Sequence, residues 1–184
     1  MTLNIQEMVN KSEIKICYWN IHGKKSEIIK DKLLDQEFIK KLKNSDIVSI
    51  SELHTEDKDL FIPGYQLLKQ KIRKKTHKGP KICGGIAIFA KDEIFDSTHV
   101  VPNDNENSIW IKIKKRSNCE KDMYIGSYYV SPENKKSKEL LFEMLNEETE
   151  RFKELGKLFC EDISMHELGK ILISYNPTPS LRIF

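Results

Sequence analysis

The sequence contains no run of apolar residues near the roughly 18 that a membrane-spanning helix requires. Its start, Met1-Thr2-Leu3-Asn4-Ile5-Gln6-Glu7, has neither the basic region nor the apolar stretch of a secretory leader. These two absences predict a soluble, intracellular protein of the nucleus or cytoplasm with no membrane partner. Cysteine is sparse: Cys17, Cys83, Cys119 and Cys160 stand singly. No Cys-x-x-Cys zinc pair exists, and a disulfide framework is not expected without a leader. Net charge is also nearly absent, because 31 Lys and Arg against 28 Asp and Glu leave +3. The 8 Phe, 6 Tyr and 2 Trp are enough aromatic mass for a core, which argues against wholesale disorder. At 184 residues the chain is one ordinary domain or most of a larger one.

The small net charge hides an uneven distribution. Lys69, Lys71, Arg73, Lys74, Lys75, Lys78 and Lys81 follow one another with no acid between them, and Lys112, Lys114, Lys115 and Arg116 form a second cluster. From Glu143 to Glu167 eight acids face three bases. The first stretch has the character of a polyanion contact; taken by themselves, the charges favour the plainer reading of a solvated loop and a solvated helix face.

Hydrophobic periodicity predicts strands at Ile14–Asn20, Asp46–Ser51, Gly84–Ala90, Ile109–Ile113, Met123–Ser131 and Lys170–Ser174. Helical spacing of Ile28, Ile29, Leu33, Leu34, Phe38, Ile39 and Leu42 predicts one helix over Lys25–Lys43. Leu140, Leu141, Met144, Leu145, Phe152 and Leu155 predict a second, from about Lys135 to Lys157. Two prolines make the last ten residues irregular. The order is that of a mixed α/β chain, with a tail over 1–13, a domain over 14–174 and a second tail over 175–184. Glu154-Leu155-Gly156-Lys157 recurs as Glu167-Leu168-Gly169-Lys170, an echo too short for a repeat protein and consistent with an insertion.

Three strand ends carry polar residues out of apolar runs, which is where open α/β sheets place their sites. They are Trp19-Asn20, Ser51-Glu52-Leu53-His54 and Tyr129-Val130-Ser131-Pro132, with Gly84-Gly85-Ile86-Ala87-Ile88 between the second and third. In this order and spacing they resemble the endonuclease/exonuclease/phosphatase family, most of all the endonuclease domain of LINE-type, non-LTR retrotransposons. The resemblance spans about Ile14 to Ser174 and implies the N-terminal part of a four-layer α/β sandwich. It implies Mg²⁺-dependent hydrolysis of phosphoesters, with Glu52 as metal carboxylate, Asn20 as metal-shell and phosphate-orienting amide, and Tyr129 as a phosphate-positioning phenol. DNA is the partner it implies, and the Lys69–Lys81 bases would meet its phosphates. His54 matches a recurrent retrotransposon residue of no catalytic role, and His22 has no counterpart, so a solvent-facing loop position is expected for it.

The resemblance is incomplete. After the strand equivalent to Ile171–Ser174 the family has Gly-Asp-x-Asn, whereas this chain has Tyr175-Asn176-Pro177-Thr178. The family's Ser-Asp-His has no equivalent; the last histidine is His166. An amide in place of the carboxylate cannot accept a proton, so a truncated family domain without turnover is the expectation. The alternatives are a weak nucleic-acid-binding module without catalysis, or an unrelated α/β interaction module. The first five strands are expected in one sheet, with both helices together on its outer face. Its inner face, including Ile86, Ile88, Ile109 and Ile111, would then lack a cover and promote self-association.

Overall fold

A computed structural model describes residues 14–26, 28–72, 84–114, 121–129 and 135–162. The expected tails at 1–13 and 175–184, the strand at Lys170–Ser174 and the second copy of the echo lie outside the described residues.

The chain forms β1 (Ile16–Asn20), α1 (Gln36–Leu42), β2 (Ile47–Ser51), β3 (Tyr65–Lys71), β4 (Ile86–Lys91), β5 (Thr98–Val101), β6 (Ser108–Ile113), β7 (Met123–Tyr128), α2 (Lys135–Leu155) and β8 (Lys157–Asp162). Two short 3-10 helices, Lys32–Leu34 and Asp92–Ser97, join them. The strands divide into two sheets, β1-β2-β4-β3 and β5-β6-β7-β8, where a single sheet was expected. In each sheet one pair is parallel, β1 with β2 and β7 with β8, and the intervening chain carries a helix.

Period-two alternation explains the layers. In β4, Ala87 and Phe89 pack with Leu33, Phe38 and Leu42 on one face, while Ile86, Ile88 and Ala90 pack with Ile109, Ile111, Ile113 and Ile125 on the other. In β6, Trp110 turns the opposite way and packs with Tyr124, Tyr128, Leu145, Phe152 and Leu158 against α2. The result is helix, sheet, sheet, helix: the four-layer α/β sandwich, with the helices on opposite outer faces and not together on one. The four isoleucines expected on an open face are 0–1% exposed between the sheets. The surface to which self-association was tied is therefore covered. A Ser49 Oγ to Ser127 Oγ hydrogen bond and a 3.2 Å bond from Tyr18 Oη to the Gly126 carbonyl cross this interface.

The predicted helix over Lys25–Lys43 is broken into the 3-10 turn and α1. Asp31 accepts from Leu33 N–H and Asp35 from Phe38 N–H, both at 3.0 Å, so each aspartate caps a new start and Asp35 is extended at ψ 131°. Leu33, Phe38 and Leu42 are buried, but Ile28 is 94% exposed and Leu34 is exposed.

Beyond α2 the chain does not continue through a loop to Lys170. Gly156 turns it at once into β8, which pairs in parallel with β7 from Met123↔Lys157 to Tyr128↔Asp162.

Candidate functional site

The strand ends are held together by backbone bonds that extend past the sheet. Ile21, Gly23 and Lys24 donate to the carbonyls of Ser51, Glu52 and Leu53, and Leu53 and His54 donate to those of Gly85 and Gly84. To follow these bonds, His22, Glu52 and His54 adopt φ of 47°, 55° and 48°. The left-handed region costs a non-glycine residue about 1–3 kcal/mol, and three such residues are gathered here.

Glu52 is the buried acid of this loop cluster, with a side chain only 6% exposed. Its Oε2 lies 2.7 Å from His22 Nδ1. Asn20 Oδ1 accepts the His22 backbone N–H at 3.0 Å, fixing the turn out of β1. His22 is thus both solvent-facing, 64% exposed, and in contact with Glu52, a contact that its sequence neighbours do not announce. The His54 ring packs near Gly23, where an added Cβ would lie 3.5 Å from its Nδ1. Burial lowers the His54 pKa below its ordinary value, against the attraction of Glu52, and the charges of His22 and Lys32 add to the lowering. Lys32 Nζ donates to the carbonyls of Ile21, at 2.6 Å, and His22, at 3.4 Å.

Tyr129 belongs to the other sheet. It follows β7, is 5% exposed, packs with the residues between the sheets, and its N–H bonds to the Asn107 carbonyl at 2.9 Å. Ser51 and Lys71 both pair with Ile86, Lys71 bonds to Asn103 and Asn105, and Tyr129 bonds to Asn107 in the same loop, so Glu52 and Tyr129 follow strands that leave the sandwich at the same rim. Lys71 ties the rim together from β3: its Nζ donates to Asn103 Oδ1 at 2.9 Å, the Asn103 carbonyl at 3.4 Å and the Asn105 carbonyl at 2.8 Å. Burial lowers its pKa. Its ammonium therefore joins the two sheets through the 103–105 loop. Lys69, on the same strand, is exposed. Arg73, Lys74, Lys75, Lys78 and Lys81 lie outside the described residues.

Two buried polar atoms near this rim, Ser51 Oγ beside Glu52 and Asn105 Nδ2, have no hydrogen-bond partner among the described residues. Such atoms normally meet water, an ion or a ligand. Among the described residues no group of three or more His, Cys, Asp and Glu stands in a geometry for a metal ion. Glu52 still offers carboxylate oxygen, and Asn20 Oδ1 retains a second lone pair, so a Mg²⁺ that keeps most of its waters fits these donors.

One position escaped the sequence reading. Because β8 is Lys157–Asp162, the strand beside β7 ends twelve residues earlier than Ser174, with Asp162 opposite Tyr128. Asp162 is thus the last residue of that strand, an acid that the spacing of the apolar runs did not single out. The echoed Glu-Leu-Gly-Lys was the available signal, since each copy precedes an apolar run and the first leads into β8.

No family model and no curated protein matches the chain. Solved structures do. An endonuclease/exonuclease/phosphatase family protein from Leptotrichia buccalis superposes with a TM-score of 0.52 at 13% identity, over 82% of this chain and 66% of that one. The human Nocturnin catalytic domain, with bound sulfate, gives 0.47 at 14% identity, over 81% and 62%. A humanized TDP2 of D. rerio gives 0.41 at 10%, over 81% and 61%. The chain spans somewhat under two thirds of the length of these structures. Its two-sheet, four-layer α/β architecture is the fold of endonuclease/exonuclease/phosphatase proteins.

Proposed function

We propose that this rim is a metal-assisted phosphoester-binding site of the phosphodiesterase and nuclease type, acting on DNA or a related phosphodiester without turning it over. The observation that carries the reading is Glu52: a carboxylate buried at a strand end, on strained backbone, one strand from Asn20 and next in the chain to Ser51, whose buried Oγ has no partner among the described residues. Glu52 would hold the cation, with Asn20 beside it and Tyr129 as the phenol facing the phosphate. A bound divalent cation supplies neutralisation of phosphate charge. The exposed Lys69 lies on β3, which runs to the same rim, and supports a phosphodiester track toward the basic stretch.

Absence of turnover belongs to the same proposal, and cleavage by the protein would overturn it. We read the domain as a remodelled relative of Mg²⁺-dependent, retrotransposon-type endonucleases.

The test is single-turnover incubation of a labelled DNA oligonucleotide with wild type and Glu52→Gln, with and without Mg²⁺. Expected are salt-sensitive binding strengthened by the cation, loss of that strengthening in Glu52→Gln, and intact oligonucleotide throughout. Cleavage abolished by Glu52→Gln would overturn the absence of turnover, and binding indifferent to both cation and variant would overturn the site.

A further inference from the structure

His22 touches both groups assigned above to a cation. Its ring nitrogen Nδ1 lies 2.7 Å from Glu52 Oε2, and its backbone N–H holds Asn20 Oδ1 at 3.0 Å. We infer that His22 is itself a cation ligand, and that its Nδ1 together with the Glu52 carboxylate forms a site for an imidazole-preferring divalent transition cation, Co²⁺ or Zn²⁺, ahead of Mg²⁺. The inference rests on the reading of Glu52 as metal carboxylate and adds to it a nitrogen donor and a changed metal preference.

The donor chemistry is the first argument. Mg²⁺ takes hard oxygen ligands and retains water, whereas imidazole favours Co²⁺, Ni²⁺ and Zn²⁺. A ring nitrogen in hydrogen-bond contact with the carboxylate changes the class of the site from oxygen alone to mixed nitrogen and oxygen. Geometry is the second. A cation about 2.0–2.2 Å from each atom holds its two ligands roughly 3 Å apart at a right angle and about 3.4 Å apart at the tetrahedral angle of zinc. The observed 2.7 Å therefore has to open by about 0.3–0.7 Å, a shift open to the exposed His22 ring, for the cation to replace the shared proton.

The two partners also divide the work of such a site. Glu52 is enclosed and held by left-handed backbone, so its carboxylate is fixed, while the His22 ring is 64% exposed and can adjust. The exposed side of His22 admits the cation and leaves coordination positions to water. With Glu52 and His22 as its charged and imidazole ligands, and Asn20 beside them, the site keeps positions open to water. The Lys32 ammonium is tied to the carbonyls of Ile21 and His22.

The experiment uses the full chain and Co²⁺ as probe. Equilibrium dialysis measures Co²⁺ and Mg²⁺ affinities, and proton NMR of the Co²⁺-loaded protein looks for a hyperfine-shifted, exchangeable imidazole N–H. The variant is His22→Asn, because asparagine tolerates the φ of 47° yet offers no ring nitrogen; His22→Gly, equally suited to that φ, serves should His22→Asn lose its circular-dichroism signal. Expected are a fall in Co²⁺ affinity of about tenfold or more, Mg²⁺ affinity unchanged within about twofold, and loss of the shifted N–H. The same signal should persist in His54→Asn. Equal Co²⁺ binding by His22→Asn, or a shifted resonance that vanishes in His54→Asn instead, overturns the inference while leaving Glu52 as the carboxylate ligand. Failure of folded wild type to bind either cation overturns both.

Discussion

Lys24 is 5% exposed yet keeps its charge, because Nζ lies 2.6 Å from Asp57 Oδ2 and 3.1 Å from Asp31 Oδ2. Burial works against that charge, but hydrogen bonds to Asp57 and Asp31 outweigh it and raise the Lys24 pKa. Its hydrogen bond in turn lowers the Asp57 pKa below 3.8, with help from the Asp59 N–H. A depressed carboxylate stabilises the fold above its unfolded pKa and loses that contribution as pH falls through the folded one. His54, lowered by burial below 6.5, has the same sign: the unfolded chain takes up its proton first, so stability declines as pH drops past about 6.5. Two separate acid losses are therefore expected in a plot of melting temperature against pH, one beginning near 6.5 and one near 4. His54→Asn, which suits the φ of 48°, should flatten the first and leave the second; Lys24→Met should weaken the second alone. A wild-type profile level from pH 7 to 5 would contradict the partial desolvation that lowers the His54 pKa.

At the scale of elements, two departures from expectation, the broken helix and β8, arise at particular residues, while β3 and β5 were not predicted at all. A hydrophobic stripe from Ile28 to Leu42 carries helical spacing, but Asp31 and Asp35 can each satisfy the free N–H groups of a new first turn, and the chain takes both starts. Spacing alone did not reveal this, because a cap competes with helix continuation only when the following turn finds a surface to bury against. β8 was missed for a related reason. Leu158-Phe159-Cys160 reads equally as the end of a helix or the start of a strand, and Gly156 decides. A Cβ there would stand 2.2 Å from the Asp122 carbonyl and 2.9 Å from the Tyr124 ring, so only glycine lets the end of α2 approach β7 closely enough for β8 to pair. Gly156→Ala should cost about 2–3 kcal/mol by denaturant unfolding, through forced displacement of backbone, whereas Leu155→Ala, at an exposed site, should fall within roughly 1 kcal/mol of wild type. Equal effects would mean that the turn can relax. The helix itself is fastened by Glu148, which accepts from Trp110 Nε1 at 2.8 Å, Ser108 Oγ at 2.9 Å and Asn103 Nδ2 at 3.1 Å.

For the whole molecule, the two sheets place central strands under cover on both faces. All five residues of β2 are buried, as are Ile86–Ala90 in β4. Hydrogen exchange should accordingly be slowest in β2, β4, β6 and β7 and faster in β1, β3, β5 and β8, the outer strands of each sheet. Uniform protection across all eight would show that the outer strands gain cover not accounted for by these layers. The amino-acid sequence by itself determined the mixed α/β class, six of the strand and helix positions near their observed bounds, and Asn20, Glu52 and Tyr129 as strand-end polar residues. Alternation and spacing within ten or twenty residues suffice for that. Which face meets which did not follow, because Ile86 and Ile109 are equally apolar whether their strands lie side by side or in opposed sheets. Only the tertiary structure decided that the isoleucines of β4 and β6 interlock across two layers, that His22 reaches Glu52 from thirty residues away, and that Asp162 closes the strand beside β7. Those outcomes depend on long-range pairing, where a hydrogen bond or a buried face is stabilising only after distant segments have been brought together.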